Sequence, residues 1–249
     1  MTTVLKLGGS VVTEKDTEET VDDDALTTAA GIVGDWMGED GSESPPLVLV
    51  HGGGSFGHPA AAAHGVSATE GSRDAAALVV VHRAMGRLNE RVVTALQAAG
   101  VAALPVRPLS LVNRTGEGVN CPAEPVESML GEGFSPVLHG DVVVHTEKGG
   151  TVLGGDALVV ALADALDADR VGVCSTVPGV LDGDGEVITE IASYGAVADL
   201  VGESGSTDVT GGMAGKVRAL LGTEQPAAIF GLDGLETFLE TGQAGTTVR

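Results

Sequence analysis

The sequence predicts an α/β fold built on one open, mostly parallel sheet with helices on both faces. Two observations carry this. A strand, a glycine-rich turn and a helix recur at least four times along the chain, the order that yields parallel strands joined by crossover helices. The strands are apolar throughout rather than alternating, as in Pro46-Leu47-Val48-Leu49-Val50, the pattern of strands covered on both faces. At 249 residues the chain suffices for one large α/β domain or two intimately packed lobes.

Thr3-Val4-Leu5-Lys6-Leu7 reads as the first strand and runs into Gly8-Gly9-Ser10. Lys6 points to the face opposite Leu5 and Leu7, and a lysine on a buried strand is costly unless it meets an anion at the strand's end. With the lysine ahead of the glycines, this is not a Walker loop. Asp22-Asp23-Asp24 caps a helix carrying Leu26, Ala30, Val33 and Met37 at helical spacing, because acidic residues in a first turn complement the dipole. Residues 38–46 read as a polar loop without chemistry.

The second strand leads into His51-Gly52-Gly53-Gly54-Ser55-Phe56-Gly57-His58-Pro59. Glycine removes the Cβ that would hold a ligand off the amides. Amides turned the same way at a strand end make an anion-binding concavity, and His58 adds a ring nitrogen as donor. Residues 59–71 are small and Ala-rich, with a solvated His64. Ser72 caps a long amphipathic helix through Leu78, Val81, Met85, Leu88, Val92 and Leu96. On that helix His82, Arg83, Arg87 and Arg91 form a solvated or intersubunit face, or line a pocket.

Residues 101–106 form a third strand, 110–118 a hairpin or loop, and 125–130 a short helix. Residues 136–144 form a strand interrupted by His139-Gly140-Asp141, either a simple turn or a bend toward the site. Leu153-Gly154-Gly155-Asp156 opens a helix through Leu162 and Leu166. Gly155 permits close backbone approach, and Asp156 is open to two readings, a helix cap or a holder of lysines. The strand Arg170–Cys174 ends in Ser175-Thr176-Val177-Pro178-Gly179. Asp182 to Gly185 is a turn lacking the further ligands of a calcium loop. Asp208-Val209-Thr210-Gly211-Gly212-Met213-Ala214-Gly215-Lys216 leads into a helix, followed by a strand at 227–230, a short helix and residues 245–248.

Composition narrows the function. Hydrophobic content is 43% but aromatic content only 2%, so the core is built from Ala, Val and Leu. No apolar run reaches the ~20 residues of a membrane span, and no secretory signal opens the chain; the expectation is a cytoplasmic protein. A net charge of −22 repels nucleic acid and anionic membranes and suits a high-salt cytoplasm, where the Debye length is ~3 Å at 1 M. Cys121 and Cys174 lack CxxC spacing and are read as reduced thiols. The lysines are four, Lys6, Lys15, Lys148 and Lys216. All but Lys148, a hairpin tip, lie in or beside the glycine turns, where a compact charge on a flexible stem suits a transferring polyphosphate.

The set KLGGS at 6–10, HGGGSFGHP at 51–59, HGD at 139–141, GGD at 154–156 and DVTGGMAGK at 208–216 resembles the amino-acid kinase superfamily. The SFGH and DVTGGM stretches resemble its isopentenyl phosphate kinases of archaeal type. The resemblance implies a three-layer α/β/α sandwich, a homodimer, and transfer of the ATP γ-phosphoryl group to isopentenyl phosphate with Mg²⁺. An N-terminal lobe, about 1–168, would take the acceptor, and a C-terminal lobe, about 169–249, the nucleotide. By resemblance Lys6 contacts the transferring group, Lys15 stabilises the transition state, and Lys216 serves the nucleotide side. His58, Gly53 and Gly155 meet the acceptor phosphate. Gly8, Gly9, Ser10, Gly54, Thr176, Gly179 and Gly212 lie along the nucleotide, and no protein metal ligand is assigned. Close relatives often carry Thr-Asp-Val-Asp-Gly where this chain has Ser175 to Gly179. The alternatives are a kinase of the same fold acting on a phosphonate such as fosfomycin, and a nucleotide-binding subunit without turnover.

Overall fold

A computed structural model describes residues 1–38, 45–198 and 212–249. The expected loop at 38–46 and the stretch Asp208 to Gly211 therefore lie mostly or wholly outside the described residues. The strands are β1 (Thr3–Leu7), β2 (Leu47–His51), β3 (Ala103–Pro105), β4 (Asn113–Thr115), β5 (Gly118–Asn120), β6 (Ser135–His139), β7 (Asp141–His145), β8 (Gly149–Leu153), β9 (Arg170–Ser175), β10 (Glu190–Ile191), β11 (Ala227–Gly231) and β12 (Thr246–Val248). The helices are α1 (Gly9–Val12), α2 (Asp23–Met37), α3 (Gly54–Ala63), α4 (Ala75–Ala98), α5 (Pro108–Leu111), α6 (Glu124–Gly131), α7 (Gly155–Ala165), α8 (Gly212–Leu220) and α9 (Leu235–Thr241).

The main sheet runs β10-β12-β11-β9-β1-β2-β6-β3, parallel except where β12 meets β11. From β1 the chain passes to β2, then to the edge strand β3, fills the gap between them with β6, and crosses to β1's other side with β9 and β11. β1 is thus where the winding reverses, and in open α/β sheets ligands bind beyond the strand ends at such a point. Register fixes that rim: Leu7 pairs with His51 and with Cys174, and His51 pairs with His139. A second, smaller sheet, β5-β4-β7-β8, branches off where His139-Gly140-Asp141 ends β6 and starts β7.

Alternation along the strands divides the core into two layers. Leu5, Leu7, Leu47, Leu49 and Phe230 pack with Leu26 and Val33 of α2, Leu88 and Val92 of α4, and Phe238 of α9. Val4, Val48, Val50, Val171 and Ile229 pack on the other face with Leu158 and Leu162 of α7 and Val217 of α8. This is the three-layer α/β/α sandwich. Cys121 and Cys174 are free, buried thiols. Among the described residues no helix is long and apolar enough to cross a membrane.

One local expectation changes. Asp74, rather than Ser72, caps α4, its carboxylate accepting from the amides of Ala76 and Ala77 at 2.9 and 3.3 Å; the Ser72 hydroxyl instead accepts from Asp74 N. The glycine motif runs into a helix: α3 begins at Gly54 and continues through Pro59 to Ala63. Pro59 is the sixth residue of that helix, where it withholds one helical N–H. On α4, Arg83, Arg87 and Arg91 form a solvated face as expected, and several of its basic residues also meet carboxylates of the same chain: His82 with Asp141 at 2.8 Å, Arg91 with Asp23 at 2.6 Å, and Arg87 clasping Glu19 through both carboxylate oxygens.

Candidate active site

The strand-end glycine turns lie side by side along the rim. Those after β1 and β2 touch backbone to backbone: a Cβ on Gly9 would sit 2.2 Å from Gly54 N, and one on Gly52 would sit 2.4 Å from Gly9 N. Gly54 has φ +48°, in the left-handed region that glycine enters without penalty. Thr13 ties the two turns together, its hydroxyl donating to Gly9 O at 2.8 Å and accepting from Ser55 N at 3.0 Å. Sequence reasoning missed Thr13, since a threonine three residues past a glycine motif carries no mark of its own.

Behind the turns lies a charged triad. Lys6 projects from β1 onto the α7 face, where its Nζ donates to Asp156 Oδ1 at 2.6 Å. Lys216, from α8, reaches the same carboxylate at 3.2 and 3.4 Å. All three side chains are nearly buried, at 6%, 14% and 13% exposure for Lys6, Asp156 and Lys216. A Cβ on Gly155 would meet Lys6 Cε at 2.9 Å, so that glycine makes room for the lysine stem. Asp156 is no helix cap; Gly154 holds the cap position and makes no side-chain bond.

The electrostatics follow from burial and this pairing. Burial lowers the Lys6 ammonium to about 8, with Asp156 opposing and Lys216 adding to the fall. Burial works to raise Asp156, but Lys6 and Lys216 outweigh it and hold the carboxyl at about 2. Two lysines against one carboxylate leave one positive charge over, available to an anionic ligand.

The model for the amino acid kinase family matches residues 1–223. The chain belongs to the amino acid kinase family. It is 56% identical over 247 residues to the isopentenyl phosphate kinase of Haloferax volcanii, covering 99% of this chain and 98% of the relative. It is 35% identical to that of Methanothermobacter thermautotrophicus, over 88% and 85% of the two chains. Among solved structures, one described as X-ray structures of isopentenyl phosphate kinase superposes with a TM-score of 0.83 at 26% identity, covering 99% of this chain and 98% of that one.

On this amino acid kinase scaffold the other expected residues fall as follows. Gly8 and Gly9 lie on the rim and Ser10 is exposed beside them. His58 is half-buried in the second turn of α3, its ring 3.4 Å from where a Cβ on Gly53 would be. Lys15 is exposed on the loop 14–20, which Glu19 anchors to Arg87. Thr176 is exposed just past β9. Gly179 is buried, and a Cβ there would meet Thr246 Oγ1 and Val187 Cγ1, each at 2.7 Å; in this arrangement its missing side chain serves packing. Gly212 opens α8 with φ +57°. Among the described residues no group of three or more His, Cys, Asp and Glu is placed to hold a metal, and Asp156 is committed to two lysines. Among the described residues the side chains therefore do not fit a protein-held ion, and no step is assigned to one.

Proposed function

We propose that the chain transfers the γ-phosphoryl group of ATP to isopentenyl phosphate, giving isopentenyl diphosphate and ADP. The observation that carries the reading is the Lys6–Asp156–Lys216 triad at the sheet's reversal point, behind two abutting glycine turns. Phosphoryl transfer asks for in-line placement and positive charge on the equatorial oxygens. An acceptor phosphate oxygen forms the new P–O bond while the bond to the ADP oxygen breaks; the nucleophile is already an anion, so no base is needed. Lys6 and Lys216 neutralise the developing charge, Asp156 holds both in place, and Lys15 reaches in from its loop.

In this reading the Gly53 amide, His58 and the neighbourhood of Gly155 receive the acceptor phosphate. Gly8, Gly9, Ser10, Gly54, Thr176, Gly179 and Gly212 border the nucleotide, which brings any Mg²⁺ on its own phosphates. The acceptor half spans about 1–168 and the nucleotide half about 169–249. The similar proteins named isopentenyl phosphate kinase favour a hydrocarbon-bearing acceptor over a small polar phosphonate. A homodimer in a salt-rich cytoplasm is part of the proposal, checked by light scattering of the eluted protein.

The test is ADP release by purified protein against a panel of isopentenyl phosphate, other small phosphates and fosfomycin. Turnover on isopentenyl phosphate at least tenfold above the rest is expected. Preference for a phosphonate, or nucleotide binding without turnover, would overturn the reading.

A further inference from the structure

His51 and Asn89 are both fully buried, and the chemistry above gives neither a task. His51 ends β2, directly before the glycine run. Its Nδ1 lies 3.1 Å from the carbonyl oxygen of Gly52, its Nε2 lies 3.1 Å from Asn89 Oδ1, and Asn89 Nδ2 is left unpaired. Both ring nitrogens thus face oxygens, which would need two ring protons. Burial opposes that charge, lowering the imidazole from 6.5 to about 4, and a neutral ring has a single N–H.

The conflict has one economical resolution. The Gly52 oxygen can only accept, whereas the Asn89 amide can be turned end for end, since its O and N are assigned by the hydrogen bonds they make. Turned, Asn89 Nδ2 donates to His51 Nε2 and the unpaired buried donor disappears. The ring proton is then on Nδ1 and goes to Gly52 O.

That bond sets a peptide plane. Backbone bonds hold the peptides on either side: Gly52 N donates to Leu7 O, and Gly53 O accepts from the amides of Phe56 and Gly57. The 52–53 peptide between them takes its bond from the imidazole. A trans peptide points its C=O and its N–H in opposite directions. Drawing Gly52 O back toward the His51 ring therefore turns Gly53 N–H outward, to the rim. The same unit recurs one strand over, where His139, the register partner of His51, places Nδ1 3.0 Å from Gly140 O.

We propose that His51, kept in its Nδ1–H tautomer by Asn89, is a positioning residue that aims the Gly53 amide at the acceptor phosphate. This rests on the reading that an anionic acceptor sits at Gly53. Wild-type turnover of isopentenyl phosphate tests that reading first; the tautomer is read without any substrate.

Long-range ¹H–¹⁵N spectra of the wild-type protein should show a neutral His51 with the proton on Nδ1 between pH 6 and 8, well above its lowered titration range. An Nε2–H ring would overturn the proposal by itself, and this measurement stands even where substitutions prevent folding. Among folded variants, His51→Asn keeps an amide donor near the Nδ1 position, while His51→Gln and His51→Leu do not. Losing a hydrogen bond aimed at a charged group should raise the acceptor KM at least roughly tenfold in Gln and Leu. The ATP KM should move less than about twofold, and Asn should recover most of the loss. A folded His51→Leu enzyme with wild-type acceptor KM, or equal KM values for Asn and Gln, would refute it.

Discussion

Lys6 and Asp156 meet at 2.6 Å, joining the only charged residue of β1 to the first turn of α7. The aspartate holds the ammonium in one place in the absence of ligand, which is the preorganisation that phosphoryl transfer needs. Lys6→Ala or Lys216→Ala should lower turnover by more than tenfold without unfolding the protein, since one lost contact in a dry site costs on the order of 2–4 kcal/mol in the barrier. Wild-type rates from either folded variant would rule the triad out of the chemistry.

Asp156→Asn should separate this role from a structural one. It leaves two ammonium groups facing each other with no carboxylate between them, destabilising the fold by up to about 3–5 kcal/mol. Inorganic phosphate or ATP should restore much of the lost melting temperature by standing in for the missing negative charge. Melting that anions leave unchanged would count against it.

Nucleotide binding should take up protons near pH 8. The free Lys6 ammonium is lowered to about 8, so near that pH it is half deprotonated, and an arriving polyphosphate draws the proton back. Calorimetric titration with ATP in two buffers of different ionisation enthalpy should show uptake of about half a proton at pH 8, and none in Lys6→Arg, which stays charged. Identical enthalpies in both buffers would dismiss the idea.

His58→Ala should impair use of isopentenyl phosphate several-fold in kcat/KM while ATP affinity changes little. A neutral donor contributes ~0.5–1.5 kcal/mol and a charged one more. His58→Gln should keep part of the activity, because the amide still donates. If His58→Ala phosphorylates the acceptor as well as wild type, the phosphate is held elsewhere.

The buried histidines should make the fold acid-sensitive. His51 titrates at about 4 in the folded chain because burial disfavours its charge, and burial also holds His139 well below 6.5. Between pH 6.5 and 4 the unfolded chain binds protons that the folded chain refuses. Stability is therefore full above 6.5 and falls as pH drops through that window, by roughly 3 kcal/mol for His51. Denaturant midpoints at pH 7.5 and 4.5 should differ less in His51→Asn than in wild type; equal differences would remove His51 from the account.

Much of this was legible in the sequence, and the reasons are local. Lys6 stood out because lysine is scarce here and a charge inside an apolar strand demands a partner. The partner was not legible: Asp156 in a first helical turn fits a cap equally well, and only tertiary placement of β1 against α7 decides. Ser72 and Asp74 are both good caps two residues apart, and the choice depends on where the chain leaves its bridge to β8 at Gly150. The helix from Gly54 was hidden by its own glycines and Pro59, poor helix formers that the packing of Phe56 and Ala61 overrides. His51 was read as part of a glycine motif; its bond to Gly52 depends on a ring rotamer set by Asn89, far along the chain.

The abutting backbones of Gly9 and Gly52 bear on how sequences of this fold can vary. A side chain at Gly9 would strike the backbone of Gly54 and one at Gly52 the backbone of Gly9, so alanine at either would wedge the ends of β1 and β2 apart. In a saturation library scored for binding of either substrate alone, both sites should tolerate only glycine, and no second-site change elsewhere should release one of them. What is inherited at these positions is a distance between two loops, and it can be kept only by both at once.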